Sequence, residues 1–432
     1  MSKELKITCE QIKVGYAIKL PCGWLQHPFL SNQFVVENSQ QIEIIKGLKL
    51  GYVWFYPDKS QLTMQQTEPT AATKEATDEP SGSTPVSSTE QAAQQEHERL
   101  TQEKAKRIAQ AKARRQSLQR TEKAYQQSLG QLKSCFRDIQ SQPHAAFAQS
   151  EQLVNGMAQS LFDSESVMIQ LIGNKKNESQ DFSSHSLNVS VLSMLLGHAQ
   201  GMSADELKIL GLGALYHDLG KMKVPMQIQR KKEPLNRAEQ GLLQLHPKFG
   251  LDLLNLIDDF PDLGKTIVHQ HHERYQGGGY PLGLKGEEIH PMSQIVALVN
   301  QFDNLCHPLD ELKALSPHHA LGFMYSVNRD HHRKELLELF IKLMGIYPPG
   351  SIVQLSDERI GMILGSNSLE PESTQVLVFD PEVPSQEAPI LNLEDGIGVQ
   401  KALSKKQLTP EILHYLNPSN QQSYYFDDQS GK

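Results

Sequence analysis

Residues 61–95 are built from Thr, Ser, Pro, Glu, Gln and Ala with few large apolar side chains, so this stretch cannot repay the entropy of being ordered. A chain of 432 residues interrupted in this way is expected to fold as separate units rather than around one core. Ahead of the interruption, residues 1–60 read as a small α+β module. There the β-prone runs Tyr16-Ala17-Ile18 and Tyr52-Val53-Trp54-Phe55-Tyr56 flank a helical stretch at Ile42, Ile44 and Ile45.

Residues 61–95 themselves are expected to be a disordered linker. Residues 96–135 mix Arg, Lys, Glu, Gln and Ala, which favours a connecting helix, but apolar positions are too sparse for a coiled-coil seam. Lys104, Lys106, Arg107, Lys112, Arg114 and Arg115 are expected on its solvated face. From 136 to 346 the apolar period is helical, with Leu187, Val191, Met194 and Leu195 on one face and Ser203 with Glu206 forming a capping-box signature. Pro348-Pro349-Gly350 then breaks that period. Residues 347–416 are predicted to be a β-rich appendage, with strands at 352–355, 360–364 and 374–379, and residues 417–432 a polar, disordered tail.

The formal charge of -8 provides no basic footprint for DNA, so a nucleotide ligand should be small and held in a pocket. Cys9, Cys22, Cys135 and Cys306 are scattered, without a Cys-x-x-Cys pair, which suits a reducing compartment and argues against thiolate zinc. Neither an apolar signal core nor a bilayer-length apolar run is present in the sequence, and the expected address is the cytoplasm, with no membrane partner.

Chemistry concentrates in the helical segment. His185, His217-Asp218, His246 and His271-His272 follow one another, ahead of a polar helix around Asn300 and Asp303. Continuing the stripe Leu207, Leu210, Ala214 by three and four residues lands on His217 and Asp218, which places the pair inward near a helix end. Taken singly, each histidine reads better as a hydrogen-bonded core or surface residue; the ordered set favours metal. Imidazole nitrogen with carboxylate oxygen suits iron, manganese or zinc rather than magnesium. His318-His319 and His331-His332 lie amid polar helical sequence and read as solvated or capping residues.

Asp218 is followed by Leu219-Gly220-Lys221, and His271-His272-Glu273-Arg274 by Gly277-Gly278-Gly279-Tyr280-Pro281. In this context the chain resembles the HD-GYP family of cyclic di-GMP phosphodiesterases, over about 181–302, in the subgroup with an N-terminal domain of unknown function. The resemblance implies a multidomain chain: a mainly α-helical HD-superfamily catalytic domain over 136–346, with the small α+β module and the β-rich appendage added to it.

By position, the family's metal ligands correspond to His185, His217, Asp218, His246, His271, His272 and Asn300, with Asp218 as the bridge. The implied cofactors are two divalent ions, iron or manganese, with a third in members that carry an extra carboxylate where Asp181 stands. The implied reaction is attack of a metal-bridging hydroxide on phosphorus, opening cyclic di-GMP to linear pGpG, with the final product left open between pGpG and GMP. Asp218 and Lys221 are the expected catalytic residues, and Lys221, Arg274 and Tyr280 the expected substrate contacts. The glycine-rich loop implies a diguanylate cyclase domain as a further partner, and the connecting helix or N-terminal module allows a homodimer.

Three departures keep a second reading open. Asn300 stands where the family has an aspartate, Gln276 replaces another aspartate, and the arginine usual after Phe302-Asp303 is missing. On that reading the chain is a weak or inactive member that senses cyclic di-GMP or adapts to a cyclase. A general HD phosphohydrolase acting on another nucleotide is the third reading, and Asp303 is assigned a cap or hydrogen bond.

Overall fold

The computed structural model describes residues 4–23, 26–60, 86–163, 169–173, 182–310, 313–366, 374–381, 383, 385, 388–393, 397–416 and 422–426. It divides into two compact units, residues 1–114 with 380–384 and residues 115–379 with 385–432. Among the described residues, no helix is long and apolar enough to cross a membrane.

In the first unit, strands β1 (Leu5–Ile7), β2 (Ala17–Lys19), β3 (Gln33–Val35) and β4 (Val53–Phe55) form an antiparallel sheet in the order β1-β4-β2-β3. Helix α1 (Ser39–Gly47) starts where the Asn38 side chain accepts the Gln41 N–H, and it buries Ile44 and Ile45. The register aligns Ile18 with Phe34 and Phe55, and Val53 with Ile7; Ile18 and Val53 lie in the module core with Ile7 and Phe34 packed against it, and Leu100 contributes from helix α2 (Val86–Asp138).

Helix α2 begins inside the stretch assigned to the linker, because 86–95 are Gln- and Ala-rich good helix formers without proline. Residues 61–85 lie outside the described residues. The fully solvated helix is corrected at both ends. Lys104 is buried, with its ammonium donating to the His27 carbonyl at 2.7 Å, and Tyr125, Leu129 and Leu132 enter the core of the second unit.

That core gathers α3 (Pro143–Asp163), α4 (Phe182–Ala199), α5 (Ala204–Tyr216), α8 (His246–Leu254), α9 (Asp262–Gln270), α10 (Pro291–Cys306), α11 (Pro317–Ser326) and α12 (Lys334–Met344), while the short α6 (Met226–Gln229) and α7 (Arg237–Leu243) bury no residue. The capping box at Ser203 and Glu206 opens α5 as its sequence signature requires. Helix α4 is buried on nearly every side, its Ser186, Ser190 and Ser193 included, so the single apolar stripe understated its burial.

Strands β5 (Ile169–Gly173), β6 (Ile352–Leu355), β7 (Ile360–Ser366), β8 (Gln375–Val378), β9 (Ile390–Asn392), β10 (Val399–Leu403) and β11 (Gln422–Phe426) make one antiparallel sheet. The order is β10-β6-β7-β5-β11, with β8 on β7 and β9 on β8. Two of its strands depart from expectation: β5 interrupts the segment whose dominant period is helical, and β11 forms within the tail read as disordered. They pair with each other from Gln422 opposite Gly173 to Phe426 opposite Ile169. Tyr425 is held there by an edge contact with Tyr125 and a 2.8 Å hydrogen bond to Ser128. Three consecutive aromatics, Tyr424, Tyr425 and Phe426, are strong β-formers inside a polar tail, and their partner strand lies far away in sequence.

Candidate metal centre

Each histidine of the ordered series is delivered by the end or the inward face of a helix. His185 stands on α4, His217 caps the C-terminus of α5, His246 is the first residue of α8, and His271 caps the C-terminus of α9. At three of them the ring turns back on its own chain. Nδ1 lies 2.7 Å from the Ala214 carbonyl at His217, 2.7 Å from the Leu243 carbonyl at His246 and 2.8 Å from the Val268 carbonyl at His271. A carbonyl can only accept, so Nδ1 carries the proton in each ring and Nε2 of the neutral form presents its lone pair.

His185 reaches the same state by a different route: its Nδ1 donates to Asp303 Oδ2 at 2.6 Å. The Nε2 atoms then converge, His217 on His185 at 3.2 Å and His246 on His271 at 3.1 Å. In neutral rings each contact sets lone pair against lone pair, an arrangement resolved by a shared cation. Asp218 lies between the two pairs. Its Oδ2 is 3.4 Å from His217 Nε2 and 3.6 Å from His185 Nε2, while Oδ1 is 3.2 Å from His246 Nε2 and 3.7 Å from His271 Nε2.

Two donor sets result, His185-His217-Asp218 and Asp218-His246-His271-His272, with the ligand atoms within each set lying no more than 4.8 Å apart. Asp218 Oδ1 and His272 Nε2 are buried without a hydrogen-bond partner. Orphaned polar atoms of this kind are costly, and a cation that met them would remove the cost, so the residues present fit a pair of divalent ions.

Burial holds His217 and His272 below the ordinary histidine range and His271 at about 3, so these rings stay neutral and able to bind metal at neutral pH. Burial alone would raise the Asp218 carboxyl; the Lys221 ammonium beside it overcomes this and holds the group well below its usual value. The same opposition acts at Asp303, where burial is outweighed by His307 and His185. Lys221 is a partly exposed cation whose ammonium donates to Asp218 Oδ2.

Asp303 is therefore a hydrogen-bonding residue, and a specific one. Besides His185 it accepts from Asn188 Nδ2 at 3.2 Å and His307 Nδ1 at 3.1 Å, which fixes the His185 ring. Asp303→Asn should weaken metal binding by about tenfold to a hundredfold, as loss of a carboxylate behind a ligating histidine does elsewhere. Equal metal affinity of the two proteins, measured by calorimetric titration, would remove that orienting role. Asn300 is buried on α10, and its amide oxygen accepts from Asn304 Nδ2 at 2.6 Å. Asp181 lies outside the described residues.

The glycine-rich loop closes on the second donor set. Tyr280, half-buried, stacks on His272 with ring centroids 4.5 Å apart, and its N–H donates to the His272 carbonyl. A Cβ on Gly279 would lie 2.5 Å from the Glu273 Cα and 2.6 Å from the Arg274 nitrogen, so only glycine permits this return of the chain. Arg274 is exposed beside it.

Glu273, whose residue type alone predicts no role, is buried and accepts the N–H groups of Leu282, Gly283 and Leu284 at 2.7, 3.1 and 3.0 Å. The available signal was an acid directly before a glycine-rich turn whose amides need an acceptor. His319 is exposed at the start of α11, where its N–H donates to Ser316 Oγ, but His318 is half-buried with Nδ1 2.7 Å from the Ile346 carbonyl and His332 is buried against Gln301, so neither of these two is solvated or capping.

Comparison with known proteins matches residues 4–150 to a domain of unknown function (DUF3391) and residues 166–334 to an HD domain. The chain is 26% identical over 381 residues to a cyclic di-GMP phosphodiesterase of Pseudomonas aeruginosa, covering 88% of this chain and 85% of that protein. It is 35% identical over 133 residues to a cyclic di-GMP phosphodiesterase response regulator of Xanthomonas campestris pv. campestris, covering 31% of this chain and 35% of that protein. A solved HDG"Y"P protein of Bdellovibrio bacteriovorus overlays 78% of this chain and 98% of its own, with 15% identity and a TM-score of 0.43.

Proposed function

Since the chain belongs to the HD-GYP family, an HD domain following a DUF3391 module, we propose that it is a metal-dependent phosphodiesterase that opens cyclic di-GMP, with linear pGpG or GMP as the final product. The observation that carries this reading is one carboxylate, Asp218, shared by two sets of imidazole donors. His185, His217 and Asp218 would hold one divalent ion and Asp218, His246, His271 and His272 the other; this mixed nitrogen and oxygen set suits iron or manganese. When bound, such a pair supplies a water of lowered pKa and draws off charge from phosphoryl oxygens.

The chain's own residues do the rest. Lys221, partly exposed one turn from Asp218, is placed to pair with a phosphate oxygen as negative charge grows there. Tyr280 on His272 walls off one side of the centre and excludes water from it, and Glu273 keeps that wall folded. Arg274, exposed next to the loop, is offered as a second phosphate contact.

The test is turnover of cyclic di-GMP by anaerobically purified protein of known iron and manganese content, with products separated by chromatography. Linear dinucleotide or GMP is the expected result; tight nucleotide binding without product in metal-loaded protein overturns it.

One observation favours a second reading, a weak or inactive member that senses cyclic di-GMP, or adapts to a diguanylate cyclase domain through the glycine-rich loop. Asn300 is neutral, and its amide oxygen is already taken by Asn304. Asn300→Asp should therefore tighten metal binding and raise turnover, by about tenfold if a charged oxygen joins the set. Equal metal content and rate in the two proteins would remove residue 300 from the centre.

A further inference from the structure

The two oxygens of Asp218 are not equivalent. Oδ1, facing His246 and His271, accepts no hydrogen bond, whereas Oδ2, facing His185 and His217, receives the Lys221 ammonium. The donor sets are unequal as well: one joins Asp218 to His246, His271 and His272, the other only to His185 and His217.

We propose that Lys221 is a resident countercation that competes with the metal ion at the His185-His217 position, so that the centre loads in two steps, the His246-His271-His272 position first. This rests on the proposed metal centre and adds an order and a cause to it. An ion at the Oδ2 side meets a fixed positive charge on the same carboxylate oxygen, and ion and ammonium compete for the same lone pairs. At the Oδ1 side the incoming ion displaces nothing and gains one more imidazole. Arrival of the weaker ion would turn Lys221 out toward its exposed side, where a substrate phosphate would approach. The lysine thus serves in turn as stand-in for the ion and as partner for the substrate.

Neighbouring contacts hold this arrangement in place. Lys221 sits in a tight turn whose geometry is locked by Gln229, which donates through Nε2 to the Lys221 and Val224 carbonyls, each at 2.7 Å. The ammonium therefore cannot drift far from Asp218 by movement of the backbone.

The experiment titrates metal-free full-length protein with Mn2+ at constant pH, following free Mn2+ by electron paramagnetic resonance. Wild type should show a tight and a weak class of site. Lys221→Met should tighten the weak class by at least about tenfold and leave the tight class unmoved, because it removes one positive charge in contact with one position only. Lys221→Arg, which keeps the charge, should leave the weak class weak.

His185→Ala should delete the weak class and His246→Ala the tight one. A weak class unchanged in Lys221→Met, or a shift confined to the tight class, overturns the competition while leaving the centre intact. Two classes that persist in both histidine variants overturn the metal centre itself.

Discussion

Replacing Asp218 with alanine is expected to abolish the proposed hydrolysis, with turnover lower by at least about a thousandfold, or ~4 kcal/mol of transition-state stabilisation. Both donor sets run through this one carboxylate, so its loss removes a ligand from each and leaves five imidazoles with no anionic partner between them. The same variant should lose bound metal, and elemental analysis of the purified protein reads that directly. Asp218→Asn keeps the shape and removes the charge; metal content should fall there too, which separates loss of charge from loss of packing. Unchanged turnover in metal-replete Asp218→Ala would sink the assigned centre.

Gly220→Ala should be as damaging through packing alone. A Cβ there would fall 1.9 Å from the His246 carbonyl oxygen and 2.4 Å from the Gly250 nitrogen, both backbone atoms of α8. Neither can yield without pushing back the helix start that carries His246. The expected cost is on the order of 3–5 kcal/mol of unfolding free energy, at the upper end for a single substitution, together with loss of metal at the His246 position. Gly241 on α7 is the control, since a Cβ there meets nothing within 4 Å. Gly241→Ala should stabilise by about 0.4–1 kcal/mol. Urea denaturation of the two variants checks both signs, and equal midpoints would mean that α8 moves freely against the Asp218 turn.

Glycine at 220 shows why the residue order alone cannot specify a centre. In sequence, Leu219-Gly220-Lys221 reads as part of a motif; in the fold, Gly220 is the point where the Asp218 turn touches α8 backbone to backbone. Glu273 is a similar case. Its acidic side chain was visible, but its partners are amides nine to eleven residues later that only the folded loop brings back.

The sequence by itself determined the chemistry and the local elements. Helical period, capping pairs and strand runs are short-range signals, so α5 with its Ser203 cap, β6 and β8 stand where those signals fell. The residue types His and Asp in that order limited the centre to hard or borderline metals with nitrogen and oxygen donors.

Tertiary structure alone decided which oxygen of Asp218 meets which histidine pair and that Lys221 caps only one of them. It also supplied His185 with a carboxylate 118 residues away, buried Lys104, and paired β5 with β11. Each of these depends on desolvation and on contacts between groups far apart along the chain. A local period reports which face of an element is apolar, and it carries no information about which distant group will be packed against that face.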